Sequence, residues 1–349
     1  MRDTKINIDE EENNKKAISM SSPTLASLSS NPNYLPTIAC LLYSLASISM
    51  TLSNKAMFQT FHFNFPIFTL MWQNVFTIAL MYVLERLGYI TFKELKKDIA
   101  QVWLPVNLLF ILMLVSGAYA IKFLTVPMIT VFKNLSTVMT TYADAHVTNQ
   151  EVPQPIAISC LLIVLSSIAA GYSDLSFNLT GYLVMGFNCV ITTAYLIYMK
   201  SVSSRNPATK NYLDSWTMTY YNSVISLPFL LPLAWSFGET VNLQADLASR
   251  NEDLSFWTFM LWMGFIGLGM SACSLWAMKT TNPSTYGIVG SLNKIPLAIA
   301  GVAFFNVPLT PLSAASILLG LGAGILYSWA KTQAAKQPPP PPPPSSEEA

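Results

Sequence analysis

Apolar residues in this chain come in long blocks rather than in alternation, and polar residues gather in the short gaps between them. Ten blocks stand near 35–60, 66–88, 102–122, 126–147, 155–173, 179–200, 213–236, 254–278, 281–305 and 311–332. Each is about the 20 residues that a helix needs to cross the hydrocarbon of a bilayer. The third and fourth blocks follow each other so tightly that the pattern alone does not separate them. The blocks predict an all-α integral membrane protein with ten transmembrane helices over residues 34–334. Residues 1–33 are rich in Asn, Ser and Glu without apolar periodicity, which predicts a disordered tail. Residues 335–349 hold a proline run, Pro338 to Pro344, which predicts a polyproline II tail. That tail reads as a solvated spacer, with a docking peptide for a proline-binding domain as the alternative. The segment Met1 to Lys16 is too polar and charged for a signal peptide.

Composition agrees with a membrane-embedded chain. Of the 349 residues 52% are apolar and 11% charged, where soluble domains carry about 25% charged residues. Net charge is +1 and no basic run occurs, so no nucleic-acid partner is expected. Cys40, Cys160, Cys189 and Cys273 all fall inside predicted spans, at spacings that suit neither a disulfide framework nor a metal site. With only His62 and His146 besides, neither a metal nor a cofactor is expected, and no nucleophile–base pair points to an enzyme.

Positive charge then orients the spans. An even number of them puts both termini on one side. That side would collect Arg2, Lys5, Lys15, Lys16, Arg86, Lys93, Lys96, Lys97, Lys200, Arg205, Lys210, Lys279, Lys331 and Lys336. The other side would hold only Lys122 and Arg250. Cytoplasmic termini follow from this bias. The longest loop opposite, about 237–253, carries Glu239, Asp246, Glu252 and Asp253.

Candidate chemistry lies in the polar residues inside the blocks. Lys294 sits more than two helical turns from either end of the ninth block, where a lysine costs roughly 2.5–3.5 kcal/mol on insertion scales. Tyr286, Gly290, Asn293 and Lys294 fall at i, i+4, i+7 and i+8 and so share one face of a helix. In the fourth block Thr130, Lys133, Asn134, Thr137 and Thr141 share another, with Lys133 about 10 Å from the nearer end. In the first block Tyr43, Ser47, Thr51, Asn54 and Lys55 do the same. Lys55 lies near a terminus, where snorkelling and ligand contact are both open.

The seventh block adds Tyr220, Tyr221, Asn222 and Ser223, the eighth Ser271 and the sixth Asn188. Taken singly, Ser271 and Asn188 read as interhelical hydrogen bonds, worth about 0.6 kcal/mol each. The two deep lysines read differently, because no carboxylate occupies the central depth of any block. Asp144 and Asp214 lie near block ends and Glu85 at an edge. Two such cations call for an anion from outside, and a diphosphate fits. The missing carboxylates also argue against a proton relay, which leaves exchange of one anion for another.

The chain also repeats. Ser116-Gly-Ala-Tyr-Ala-Ile-Lys122-Phe-Leu-Thr-Val-Pro127 is similar to Ser271-Ala-Cys-Ser-Leu-Trp-Ala-Met-Lys279-Thr-Thr-Asn-Pro283. Each leads into a block with its own Asn/Lys pair that ends before Val-Pro, at Val152-Pro153 and Val307-Pro308. Five spans per half, about 35–173 and 179–332, make the halves inverted repeats, an arrangement typical of secondary transporters.

Two motifs carry a family resemblance. Phe132-Lys133-Asn134-Leu135 and Gly290-Ser291-Leu292-Asn293-Lys294 resemble motifs of the nucleotide-sugar transporters, in the drug/metabolite transporter superfamily. The second is similar to the Gly-Ala-Leu-Asn-Lys motif of the GDP-mannose transporter branch, with Ser291 in the Ala place. Gly181-Tyr182 with Asn188, and Tyr43 ahead of Asn54-Lys55, resemble the same branch. The likeness spans about 35–332. It implies the ten-helix drug/metabolite transporter fold in the Golgi membrane, importing GDP-mannose in exchange for GMP by alternating access.

The resemblance also implies roles for single residues. It puts Tyr221, Asn222 and Ser271 at the base, Lys294 and Tyr286 at the diphosphate, and Tyr43, Asn188, Gly290 and Asn293 on the sugar side. Lys133, Asn134 and Ser223 are expected in the cavity or in its support. Two positions depart from the branch. Its Phe-Tyr-Asn-Asn is here Tyr220-Tyr221-Asn222-Ser223, and Ile129 stands where a Tyr is frequent. GDP-fucose, GDP-arabinose or a UDP-sugar are therefore the rival cargoes, ahead of a phosphate translocator or a non-transporting scaffold. Expected partners are a GDP-sugar, GMP and membrane lipid, with a second copy of the chain as a candidate. The sequon Asn178-Leu-Thr180 is expected to stay unglycosylated because it hugs the membrane.

Overall fold

Proline and asparagine punctuate the apolar blocks, and the helices begin and end where they stand. The computed structural model of the chain describes residues 35–205, 212–280, 289–290, 292–308 and 310–336. The two tails, Tyr286 and Ser291 lie outside these described residues. Among the described residues eleven helices form: α1 (Leu35–Gln59), α2 (Pro66–Arg86), α3 (Lys97–Phe123), α4 (Val126–Thr148), α5 (Gln154–Tyr172), α6 (Leu179–Arg205), α7 (Ser215–Ser236), α8 (Glu239–Ser249), α9 (Leu254–Thr280), α10 (Lys294–Phe305) and α11 (Pro311–Lys336). Pro66, Pro127 and Pro155 sit in the first two positions of their helices, where a missing N–H costs nothing. Asn149 and Asn306 close α4 and α10 in the left-handed region, with φ of 50° and 48°.

Seven of these helices (α1, α2, α3, α5, α6, α9 and α11) are long and apolar enough to cross a membrane. An eighth span arises if α7 and α8, bent from each other by 94°, count as one. The molecule is thus a multi-pass membrane protein. At 23 residues α4 is long enough but is not among them, because Thr130, Lys133, Asn134, Ser136 and Thr137 break its apolar run. Leu124 and Thr125, both extended, are all that separate α3 from α4, which is why the apolar pattern blurs there.

In the ninth block, residues 281–288 and Ser291 lie outside the described residues, and Lys294 is the first residue of the 12-residue α10. Asn293 before it keeps right-handed helical dihedrals; its N–H reaches Val289 O at 2.9 Å and the Leu297 N–H reaches Asn293 O at 3.2 Å, so helical bonding runs through this turn. Pro296, which has no N–H to donate, removes one bond from it.

Several helix pairs dominate the packing: α5 with α11, α3 with α6, α1 with α9, α4 with α6, α2 with α7, α2 with α9, α4 with α10 and α3 with α7. Outward faces are apolar, as a lipid solvent allows. On α5, Ile158, Leu161, Leu165 and Ile168 are exposed along one stripe while Cys160, Ile163, Ser166 and Ala170 face inward. Small residues bring backbones close, which is how membrane helices gain dispersion energy. A Cβ at Gly320 would stand 2.7 Å from Ser166 Oγ, and one at Gly301 would stand 2.4 Å from Val126 Cβ. The second contact holds α10 against the start of α4, about 10 Å by helix rise from the level of Lys133 and Lys294.

Candidate functional site

The α4–α10 contact brings Lys133 and Lys294 together. Lys294 Nζ donates to Asn134 Oδ1 at 2.7 Å, and Asn134 Nδ2 in turn donates to the carbonyl of Gly320 on α11 at 3.2 Å. That pair of bonds fixes which way the Asn134 amide points. The amide carries no charge of its own, so it orients the Lys294 charge without cancelling it. Lys133 is close enough for its charge to repel that of Lys294. The side chain of Lys133 keeps an exposed surface. Its ammonium has no hydrogen-bond or carboxylate partner among the described residues. Beside them, Asn293 Nδ2 is buried and unpaired. Two cations and a buried unpaired donor thus share this neighbourhood, with no acidic mate among the described residues. An isolated buried charge costs several kcal/mol, roughly, unless something neutralises it.

Near the start of α10, Tyr43 of α1 is buried, and its hydroxyl would lie 3.7 Å from a Cβ at Gly290. Gly290 leaves room for that ring. Of the sequence-derived set, the structure thus gathers Tyr43, Gly290, Asn293, Lys294, Lys133 and Asn134 in one neighbourhood of α1, α4 and α10.

The remaining candidates are occupied elsewhere. Tyr221 is fully buried, donates to Glu94 O at 2.9 Å and accepts from the Lys96 N–H at 2.8 Å, so it ties down the α2–α3 loop. Asn222 Oδ1 accepts from Trp103 Nε1 at 2.8 Å and from Asn107 Nδ2 at 3.3 Å, and its side chain also reaches the hydroxyl of Tyr195. Asn188 Nδ2 donates to Met113 O at 2.7 Å and to Ser116 Oγ at 2.9 Å, locking α6 to α3. Ser223 is buried. Ser271 makes only a long bond, 3.4 Å, to Gly267 O of its own helix, which leaves its hydroxyl available.

Lys55 does not snorkel. It is buried, and its Nζ donates to Leu124 O at 2.7 Å, Ile121 O at 2.9 Å and Lys122 O at 3.5 Å. These are carbonyls that α3 leaves unpaired at its C-terminus, where positive charge is welcome. Glu239, expected in a solvated loop, is likewise buried at the start of α8. Its carboxylate accepts from the N–H groups of Ile67 and Phe68, at 3.0–3.1 Å, and from the Tyr119 hydroxyl at 2.9 Å. It caps the N-terminus of α2, which Pro66 opens without a side-chain cap of its own. Sequence reasoning misses two polar residues, Gln73 and Asn107. Gln73 donates to Asn54 Oδ1 at 3.2 Å and Asn107 joins the Asn222 network. Asn107 stands one helical turn from Trp103, and that i, i+4 pair of polar-tipped side chains is the available signal.

Comparison with known proteins gives the family. The model of the Triose-phosphate Transporter family matches residues 36–328. A GDP-mannose transporter of Arabidopsis thaliana, GONST1, is 36% identical over 293 residues, covering 83% of this chain and 87% of that protein. A GDP-mannose transporter of Yarrowia lipolytica is 32% identical over 317 residues, covering 86% and 95%. GDP-mannose transporter 2 of Emericella nidulans is 34% identical over 325 residues, covering 85% and 88%. With a match running through nearly all the described helices, the chain belongs to the Triose-phosphate Transporter family, within the drug/metabolite transporter superfamily.

Proposed function

We propose that the protein is a nucleotide-sugar antiporter that carries GDP-mannose into the Golgi lumen in exchange for GMP. One observation carries the reading: Lys133 and Lys294 share a mid-span neighbourhood, and among the described residues a neutral amide is the only hydrogen-bond partner of either ammonium. A diphosphate supplies the missing negative charge, and lysine meets phosphate as a point charge. The names of the three relatives above supply the base and the sugar, on which the lysines are silent. Lys294, Lys133 and Asn293 then hold the phosphates, Tyr43 and Gly290 bound the sugar side, and Ser271 offers a free hydroxyl to the base. Asn188, Tyr221 and Asn222 shape the wall of the site, because their polar groups are taken up by the protein. Tyr286 is assigned to the diphosphate by resemblance alone.

Alternating access suits a bundle of two inverted five-helix repeats, formed by α1 to α5 and by α6, α7, α9, α10 and α11. The packing supports this arrangement. Contact of α3 with α6 is mirrored by α9 with α1, α4 with α6 by α10 with α1, and α3 with α7 by α9 with α2. Cytosolic termini follow from the lysine distribution. The test is a counter-flow panel in proteoliposomes loaded with GMP. GDP-mannose uptake that depends on internal GMP, and that UMP and UDP-sugars leave unchanged, is the expected result. Uptake driven by UMP, or by triose phosphate, would assign the protein to another cargo.

A further inference from the structure

A polar stripe runs along α4 from Lys133 towards the C-terminal end of the helix. Lys133, Thr137, Thr141 and Asp144 stand at i, i+4, i+8 and i+11, on one face. Thr137 Oγ1 donates to Lys133 O at 3.1 Å, and Thr141 Oγ1 donates to Thr137 O at 2.8 Å. Thr141 Oγ1 also meets the Tyr327 hydroxyl of α11, and with its own proton committed, Tyr327 is the donor there. Lys331 completes the series. Its Nζ donates to the Tyr327 hydroxyl at 3.5 Å and lies 5.7 Å from the centre of that ring.

The direction of the Lys331 side chain sets it apart. A lysine near the end of a membrane helix ordinarily extends outward to water. Lys331 folds back over Tyr327, one turn deeper in α11, while keeping an exposed surface. It has no carboxylate partner among the described residues, and Asp144 on the stripe is already held by Lys200 at 2.8 Å. Lys133 is exposed at the other end, and Thr137 and Thr141 are partly exposed between them. Such a line of polar groups is costly against hydrocarbon, so it fits a wet passage.

On the phosphate reading above, on which this rests, we infer that Lys331 is a first station for phosphorylated cargo at the cytosolic mouth. From it the cargo passes along α4 to Lys133 and Lys294. Thr141 alone is about 12 Å by helix rise from Lys133, and Lys331 lies beyond it, so the lysines are successive stations rather than two sides of one site. Lys331 acts on arrival, by raising the local concentration of an anion, and leaves the fully bound state as it is.

The test uses sealed vesicles with the cytosolic face outward, from a host without GDP-mannose uptake of its own. They carry wild type, Lys331→Gln or Lys331→Arg, with GMP inside, in osmotically matched medium. In Lys331→Gln the KM for external GDP-mannose rises about threefold to fivefold at about 0.01 M salt, with Vmax unchanged, the scale of one steering charge. The difference closes at about 1 M salt, as the screening length falls from about 30 Å to about 3 Å. Lys331→Arg keeps the wild-type KM, and the dependence on internal GMP is the same in all three. An unchanged external KM in Lys331→Gln at low salt overturns the inference. A loss undiminished at high salt overturns it too, because packing rather than charge would then be the cause. An equal shift for internal GMP overturns the placement at the cytosolic mouth. If wild type takes up another phosphorylated nucleotide and not GDP-mannose, the cargo reading alone fails, and the same comparison is read with that nucleotide. Uptake of no phosphorylated cargo by wild type ends both.

Discussion

Two lysine environments in this molecule answer the same physical demand in opposite ways. Lys55 meets it inside the protein: three carbonyls at the C-terminus of α3 surround its ammonium, and no ligand is required. Lys294 and Lys133 leave it unmet, with one amide oxygen between them and each other's charge to resist. Burial alone therefore does not mark a functional cation. What separates the two regions is whether the fold completes the coordination. A helix end offers a ready set of acceptors and makes Lys55 structural. Mid-span backbone has none to spare and leaves Lys294 available for a ligand.

Substitutions can break this contrast, and the largest effect is expected at Lys294. Lys294→Gln removes the cation from the crossing, and exchange should fall at least about a hundredfold, in line with truncating one partner of a buried charge pair. Exchange above a tenth of wild type in proteoliposomes would place the phosphate elsewhere. Lys133→Met should raise KM for the GDP-sugar about tenfold without lowering thermal stability, since an uncompensated charge is removed. A fall in melting temperature with unchanged KM would make Lys133 structural. Lys55→Met should do the reverse. It leaves the α3 carbonyls without a donor at a cost of about 1–3 kcal/mol, seen as a melting temperature lower by a few degrees with KM within about twofold. The smallest change is expected for Asn293→Ala, a loss of about threefold to tenfold in apparent affinity, the net worth of one ordinary hydrogen bond. An unchanged affinity there would mean that the orphaned amide serves no ligand.

Much of this contrast is legible in the sequence, and what is not has local causes. The apolar blocks mark where helices lie, because hydrocarbon-length runs have few other uses in a folded chain. Lys133, Lys294 and Asn293 stand out by depth alone. Their convergence needs the α4–α10 crossing, which Gly301 permits by admitting Val126. Lys55 and Glu239 are visible as charges, but their partners are backbone atoms 66–69 and 171–172 residues away. No side-chain pattern records a backbone acceptor. Tyr221 and Asn222 carry the converse lesson. Their residue types fit a base-reading role, yet neighbouring helices claim their polar groups first.

One measurement bears on the central claim most directly: an experimental structure of the protein with GDP-mannose bound. The mid-membrane lysines are expected to have found their counter-charge there. Lys294 Nζ should have left Asn134 and lie about 2.7–2.9 Å from a diphosphate oxygen, the distance of a charge-assisted bond. Lys294 still seated on Asn134, with the phosphates bound away from the α4–α10 crossing, would contradict the claim.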